Sequence, residues 1–132
     1  MSTAAVVPFR ILIVEDDLDM QFLIQSVLTT DPRLEPVAKT SNAMEAVALT
    51  LEVGPALVIL DHGLEGEIMG LRAAPMIKAL APDVRIILFT SQDLSLEVHR
   101  EPAIDVYLPK TDLNKLLHTV QRLLGLEPLA ST

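Results

Sequence analysis

Ala56-Leu57-Val58-Ile59-Leu60-Asp61 decides the fold of this chain. Five consecutive apolar residues with no polar alternation describe a strand buried on both faces, the pattern of a parallel sheet covered by helices. The run ends on a carboxylate. An unpaired charge is too costly to bury in such a core, so Asp61 belongs at the carboxyl end of the strand, on the rim of the sheet. Ligands of open α/β sheets bind at that rim.

Other strands flank this one. Arg10-Ile11-Leu12-Ile13-Val14 repeats the apolar run and also ends in acid, Glu15-Asp16-Asp17. Val84-Arg85-Ile86-Ile87-Leu88-Phe89 ends at Thr90-Ser91. Two runs are weaker. Residues 34–38 contain Pro36, which cannot donate to a ladder and marks a sheet edge. Residues 104–108 alternate in part and lead into Pro109-Lys110.

Helical spacing fills the gaps. Met20, Leu23, Ile24, Val27 and Leu28 fall on one helix face, with Asp16 or Asp17 as the cap and Asp31-Pro32 as the stop. Ser41-Asn42 caps a second helix, whose buried face is Ala43, Ala46, Val47, Thr50 and Leu51 and which stops at Gly54-Pro55. After a loop over 62–69, a third helix covers about 71–80, with Pro75 near its first turn, where backbone N–H groups are free. A short helix over 94–101 closes at Pro102. Thr111 or Asp112 caps the last helix, whose face is Leu113, Leu116, Leu117, Val120 and Leu124 and whose end is Gly125.

Five rounds of strand then helix demand a parallel sheet with helices on both faces. The second and fifth strands are edges. The flavodoxin-like strand order 2-1-3-4-5, a doubly wound (βα)5 sheet, places both there and puts the three most apolar strands inside. One domain is expected over 9–125, with short tails at 1–8 and 126–132.

The totals narrow the function. The chain has 132 residues, 50% of them hydrophobic, enough for one core. A net charge of −8 argues against direct nucleic-acid binding. The absence of cysteine excludes disulfides and thiolate chemistry. No apolar run approaches the roughly 20 residues of a membrane span, and no basic segment marks a signal peptide. A soluble cytoplasmic protein is expected.

In this strand order one rim collects Glu15 and Asp16, Asp61, Thr90 and Lys110. Crowded carboxylates repel unless a cation holds them, and an all-oxygen set suits Mg²⁺. A hydroxyl and an ammonium beside them suit phosphoryl oxygens, so the set describes phosphoryl transfer. Taken singly each residue is ordinary: a loop Asp, a helix N-terminus favoured by the dipole, a strand-end hydroxyl, a surface lysine. Four such signals, each at a strand end of one fold, form a constellation.

The segments Ile11-Leu12-Ile13-Val14-Glu15-Asp16-Asp17, Leu57-Val58-Ile59-Leu60-Asp61, Ile86-Ile87-Leu88-Phe89-Thr90-Ser91 and Tyr107-Leu108-Pro109-Lys110 resemble the receiver domain of two-component response regulators. The resemblance covers roughly 9–124. It implies that Asp61 is the phosphoacceptor, taking its phosphoryl group from a phosphohistidine of a sensor histidine kinase or phosphotransfer protein. Glu15, Asp16, Asp61 and the backbone carbonyl of Gly63 would hold Mg²⁺. Thr90 and Lys110 would meet the phosphoryl group, and Tyr107 would be the aromatic whose rotamer follows Thr90. The output would be a protein–protein contact with an unknown downstream protein, without enzymatic activity. His62, beside the acceptor, reads as a bystander at the mouth of the site. The run Glu65-Gly66-Glu67 reads as a solvated loop.

The sequence departs from that family in places. The 61–70 loop is one residue longer than usual, and Glu65 stands where Pro is common. Thr111 replaces the Pro that usually follows the lysine. The 90–110 segment is two residues shorter, so the fourth helix must be short or irregular. Two rival readings remain. A metal-dependent phosphoaspartyl hydrolase would need an Asp two residues after the nucleophile, where this chain has Gly63. A pseudo-receiver acting as a constitutive binding module would not need the complete acidic, hydroxyl and lysine set. The chain is either a stand-alone regulator or a piece of a longer protein.

Overall fold

The computed structural model describes residues 7–129. Six of the eight residues of the expected N-terminal tail, and 130–132 of the C-terminal one, lie outside the described residues. Strands and helices alternate as β1 (Phe9–Val14), α1 (Leu18–Leu28), β2 (Leu34–Thr40), α2 (Ala43–Val53), β3 (Leu57–Leu60), α3 (Gly70–Leu80), β4 (Arg85–Thr90), α4 (Ser95–His99), β5 (Val106–Pro109) and α5 (Leu116–Leu123). All strand pairs are parallel and the order is β2-β1-β3-β4-β5, the flavodoxin-like order expected from the edge signals. Pro36 sits where the β1–β2 register shifts, so the missing donor falls at an irregularity of an edge strand.

The uninterrupted apolar runs are explained by the two faces. Ile11, Ile13, Leu57, Ile59, Ile87 and Phe89 pack with Ile24, Leu28, Leu116 and Val120 of α1 and α5. Leu12, Val14, Val58, Leu60, Ile86 and Leu88 pack with Ala43 and Ala46 of α2 and with Ala73, Ala74 and Ile77 of α3. Alternate residues of each strand thus serve opposite layers. Each fully buried Leu, Ile or Val removes about 1.5–3 kcal/mol worth of apolar surface from water.

Several local expectations are corrected. Leu51 is 69% exposed and Leu23 43% exposed, so neither belongs to the buried face assigned to it. Buried polar residues also occur on the helices: Gln21 on α1 and Gln121 on α5. Pro75 is the sixth residue of α3, not in its first turn, because the helix starts at Gly70. The last helix has no side-chain cap at Thr111 or Asp112. A 3-10 segment over Lys110–Lys115 precedes α5 instead. The Lys110–Thr111 bond, whose geometry the sequence left open, is trans, and no cis peptide occurs among the described residues. At the start of the 126–132 tail, Leu126 N–H donates to the Gln121 carbonyl at 2.8 Å and Arg33 donates to the Glu127 carbonyl at 2.7 Å. No helix among the described residues is long and apolar enough to cross a membrane.

Candidate functional site

The site lies where β1, β3, β4 and β5 end. Backbone bonds across the sheet hold the two acidic positions level: Glu15 N–H donates to the Thr40 carbonyl and Asp61 N–H to the Val14 carbonyl, both at 2.9 Å. Side-chain oxygens of Glu15, Asp16 and Asp61 fall within 4.8 Å of one another. Glu15 and Asp61 are buried and Asp16 is exposed. Asp17, the next residue, is the N-cap of α1 and accepts from Asp19 N–H at 2.8 Å and Met20 N–H at 3.2 Å. This settles the choice between Asp16 and Asp17, and leaves Asp16 to the cluster.

Lys110 arrives from the end of β5. Its Nζ donates to Asp61 Oδ2 at 2.7 Å and stands 2.7 Å from Glu15 Oε1. The second contact is an ion pair outside hydrogen-bond geometry, so Oε1 is a buried oxygen without a hydrogen-bond donor. The other Glu15 oxygen accepts from Asp17 N–H at 3.0 Å. Burial pushes the Glu15 carboxyl from 4.5 up to about 7. Lys110 and the Asp17 N–H oppose the rise, and the Asp61 charge adds to it. Burial works against the Lys110 charge, but the bond to Asp61 and the contact with Glu15 outweigh it, so its pKa is raised.

Thr90 is buried at the end of β4, and its hydroxyl accepts from Gln92 N–H at 3.3 Å. Tyr107, half-buried on β5, donates its hydroxyl to the Gln92 carbonyl at 2.8 Å. The two residues expected to act as a switch are therefore joined through one peptide backbone. Gly63 lies in the turn after β3, where an added Cβ would meet the Gln92 side-chain nitrogen at 3.2 Å.

Sequence reasoning missed three contributors. His62 is not idle. Its N–H donates to Asp61 Oδ1 at 2.7 Å, and its ring Nδ1 accepts from Leu71 N–H at 3.3 Å. It supplies the cap that Met69 cannot give to α3. The missing Ser, Thr, Asp or Asn before that helix was the available signal. Gly70 is required by close approach, since a Cβ there would stand 1.8 Å from the Asp61 carbonyl oxygen. Gln21, from α1, donates to the Glu15 carbonyl at 2.5 Å. The 62–69 loop is also more than solvated: Glu65 N–H donates to the Ser41 carbonyl at 3.1 Å and its carboxylate accepts from the Ser41 hydroxyl at 3.0 Å.

Comparison with known proteins agrees with this geometry. A family model described as the response regulator receiver domain matches residues 11–121. The response regulator protein VraR of Staphylococcus aureus (strain Mu3) is 30% identical over 104 residues, covering 77% of this chain and 49% of that protein. A protein-glutamate methylesterase/protein-glutamine glutaminase of Agrobacterium fabrum is 42% identical over 76 residues, 52% of this chain and 22% of that protein. The chain thus spans half or less of the length of these curated relatives. The response regulator domain of Thermotoga maritima CheB superposes with a TM-score of 0.79 at 18% identity, covering 92% of this chain and 99% of that one. A LuxR-family two-component response regulator from Aurantimonas sp. SI85-9A1 gives 0.80 at 24% identity, covering 92% and 89%. Strand order, rim chemistry and a family match over most of its length place this chain in the response regulator receiver domain family.

Proposed function

We propose that residues 9–125 form a phosphorylation-switched receiver in which Asp61 takes a phosphoryl group from a phosphohistidine of a sensor histidine kinase or phosphotransfer protein. It then signals from the cytoplasm by contact with a downstream protein, without an enzymatic activity of its own. The observation that carries this reading is the buried Glu15 oxygen without a hydrogen-bond donor, beside Asp61 and Lys110. An acidic pocket with an unsatisfied oxygen fits a hard cation, and its donor set fits Mg²⁺. Glu15, Asp16, Asp61 and the Gly63 carbonyl would hold the ion. Bound there, it supplies neutralisation of the carboxylates and of the phosphoryl oxygens.

The chain's own residues do the rest. An Asp61 carboxylate oxygen forms the new bond to phosphorus. The phosphorus–nitrogen bond of the donor breaks, and its electron pair stays on the imidazole nitrogen. The His62 N–H fixes one oxygen of Asp61. Lys110, already at 2.7 Å from Asp61, is placed to pair with the arriving phosphoryl oxygens through charge-assisted hydrogen bonds. Thr90, drawn towards those oxygens, would release Gln92, and with it the partner of the Tyr107 hydroxyl. Such a ligand shifts a two-state element by its differential contacts, which Thr90 and Lys110 supply here.

Acetyl phosphate with Mg²⁺ provides the test. Intact-mass spectrometry should find one phosphoryl adduct on the wild type and none on Asp61→Asn. An equal adduct on both proteins would overturn the assignment.

A further inference from the structure

Asp61 is tied to α3 more closely than to α4. The His62 N–H holds Asp61 Oδ1, the His62 ring caps α3 at Leu71, and Gly70 N–H donates to the His62 carbonyl at 2.9 Å. The first residue of α3 also lies against the Asp61 carbonyl. By contrast α4 has five residues and buries none of them. Several residues on the outer side of α3 are exposed, among them Arg72, Pro75 and Met76. A groove of about 730 Å³ runs there, lined on its apolar side by Ile68, Met69, Leu71, Pro75 and Met76. Met69 is 43% and Met76 36% exposed. His62 lines the same groove.

We propose that this groove docks a partner through an amphipathic helix carrying lysine or arginine beside its apolar face, and that His62 sets its affinity according to the state of Asp61. The coupling to Asp61 rests on the receiver reading above; the groove does not. The apolar lining fits an apolar helix face laid against it, and flexible methionines adapt to varied side chains. The sign of the flanking charge follows from complementarity. Glu67 and Glu101 line the groove against one cation, Arg72, on a chain of net charge −8.

The probe is a synthetic helix of about 14 residues, long enough to be marginally helical alone, with leucines along one face and lysines elsewhere. Its control carries glutamates in place of the lysines. Amide shifts of the labelled protein are followed with and without Mg²⁺ and beryllofluoride, whose BeF₃ group stands in for the phosphoryl group. The lysine peptide should shift Ile68, Leu71 and Met76 and bind about fivefold tighter than the glutamate peptide, the scale of one or two exposed charge pairs. Met76→Lys, at an exposed position, should abolish these shifts, whereas Leu96→Lys on α4 should not. Beryllofluoride should change the peptide affinity, and His62→Ala should remove that change. Absence of shifts along α3, or equal binding of both peptides, overturns the docking proposal. Shifts that grow with protein concentration alone, with a doubled sedimenting mass, make a second copy the occupant and overturn it too. Equal affinity in both states overturns the coupling. If beryllofluoride fails to shift Asp61 and Thr90, the receiver reading fails, while the titration without it still decides the groove.

Discussion

Glu15 and Asp31 are both buried, at opposite ends of the sheet, and they are treated in opposite ways. Asp31, past α1, is fully buried. Its carboxylate accepts from Arg33 N–H at 2.9 Å, from the Arg33 guanidinium at 2.8–3.3 Å and from the Gln121 amide at 3.0 Å. Those donors, the Arg33 guanidinium first, hold its carboxyl well below the usual carboxylate range. Glu15 is as deeply buried, yet it has one oxygen without a hydrogen-bond donor and a carboxyl pushed up to about 7. A satisfied buried acid is structural and joins α1–β2 to α5. Glu15 lacks such a donor set: its second oxygen meets only the Lys110 ammonium, and the Asp61 charge beside it adds to the rise.

Removing the satisfied acid should cost most. Asp31→Ala strands Arg33 and the buried Gln121 amide, and should lower unfolding free energy by about 3 kcal/mol. Urea denaturation measures it, and an unchanged midpoint would erase the contrast.

The two acids also predict opposite pH slopes. Glu15 has a folded pKa above its unfolded value, so its contribution is fully present below about 4.5 and is lost as pH rises through about 7. In EDTA the protein should lose on the order of 2 kcal/mol between pH 5 and 8 from this group, and Glu15→Gln should flatten the slope. Asp31, with its pKa depressed, acts in the other sense. Its contribution is present above the unfolded value and is lost as pH falls below it. A Glu15→Gln profile that still falls towards pH 8 as steeply as wild type would break the comparison.

Cation binding sharpens it further. At Mg²⁺ about tenfold above its dissociation constant, stability should rise by about 1.4 kcal/mol. Glu15→Gln with Asp16→Asn should abolish the rise, and Asp31→Ala should not. A full response in the doubly neutralised protein would place the cation elsewhere.

The smallest effect belongs to the pair that touches neither acid. Tyr107→Phe deletes the bond to the Gln92 carbonyl at the surface and should cost about 0.5–1 kcal/mol by thermal denaturation. Its larger consequence should appear in the amide shifts of Gln92, through which Thr90 and Tyr107 are joined.

The amino-acid sequence determined the fold, its strand order and the identity of the rim. The apolar runs before Glu15, Asp61 and Thr90 have no polar alternation, so only a sheet covered on both faces can bury them. The edge strands were marked by Pro36 and by the partial alternation before Pro109. Those signals are local, because a strand's burial and end are written in consecutive residues. Helix faces were less legible: periodicity assigned Leu23 and Leu51 to the core, but both are exposed, while Gln21 of α1 and Gln121 of α5 are buried. What only the tertiary structure decided are the relations between residues far apart in the chain. His62 caps α3 because Asp61 and Gly70 are in contact, Glu15 Oε1 meets the Lys110 ammonium in an ion pair and no hydrogen-bond donor, and Arg33 and Gln121 satisfy Asp31 because α5 folds back onto α1. Such contacts depend on angles and distances across the packed layers, and no one-dimensional pattern carries them.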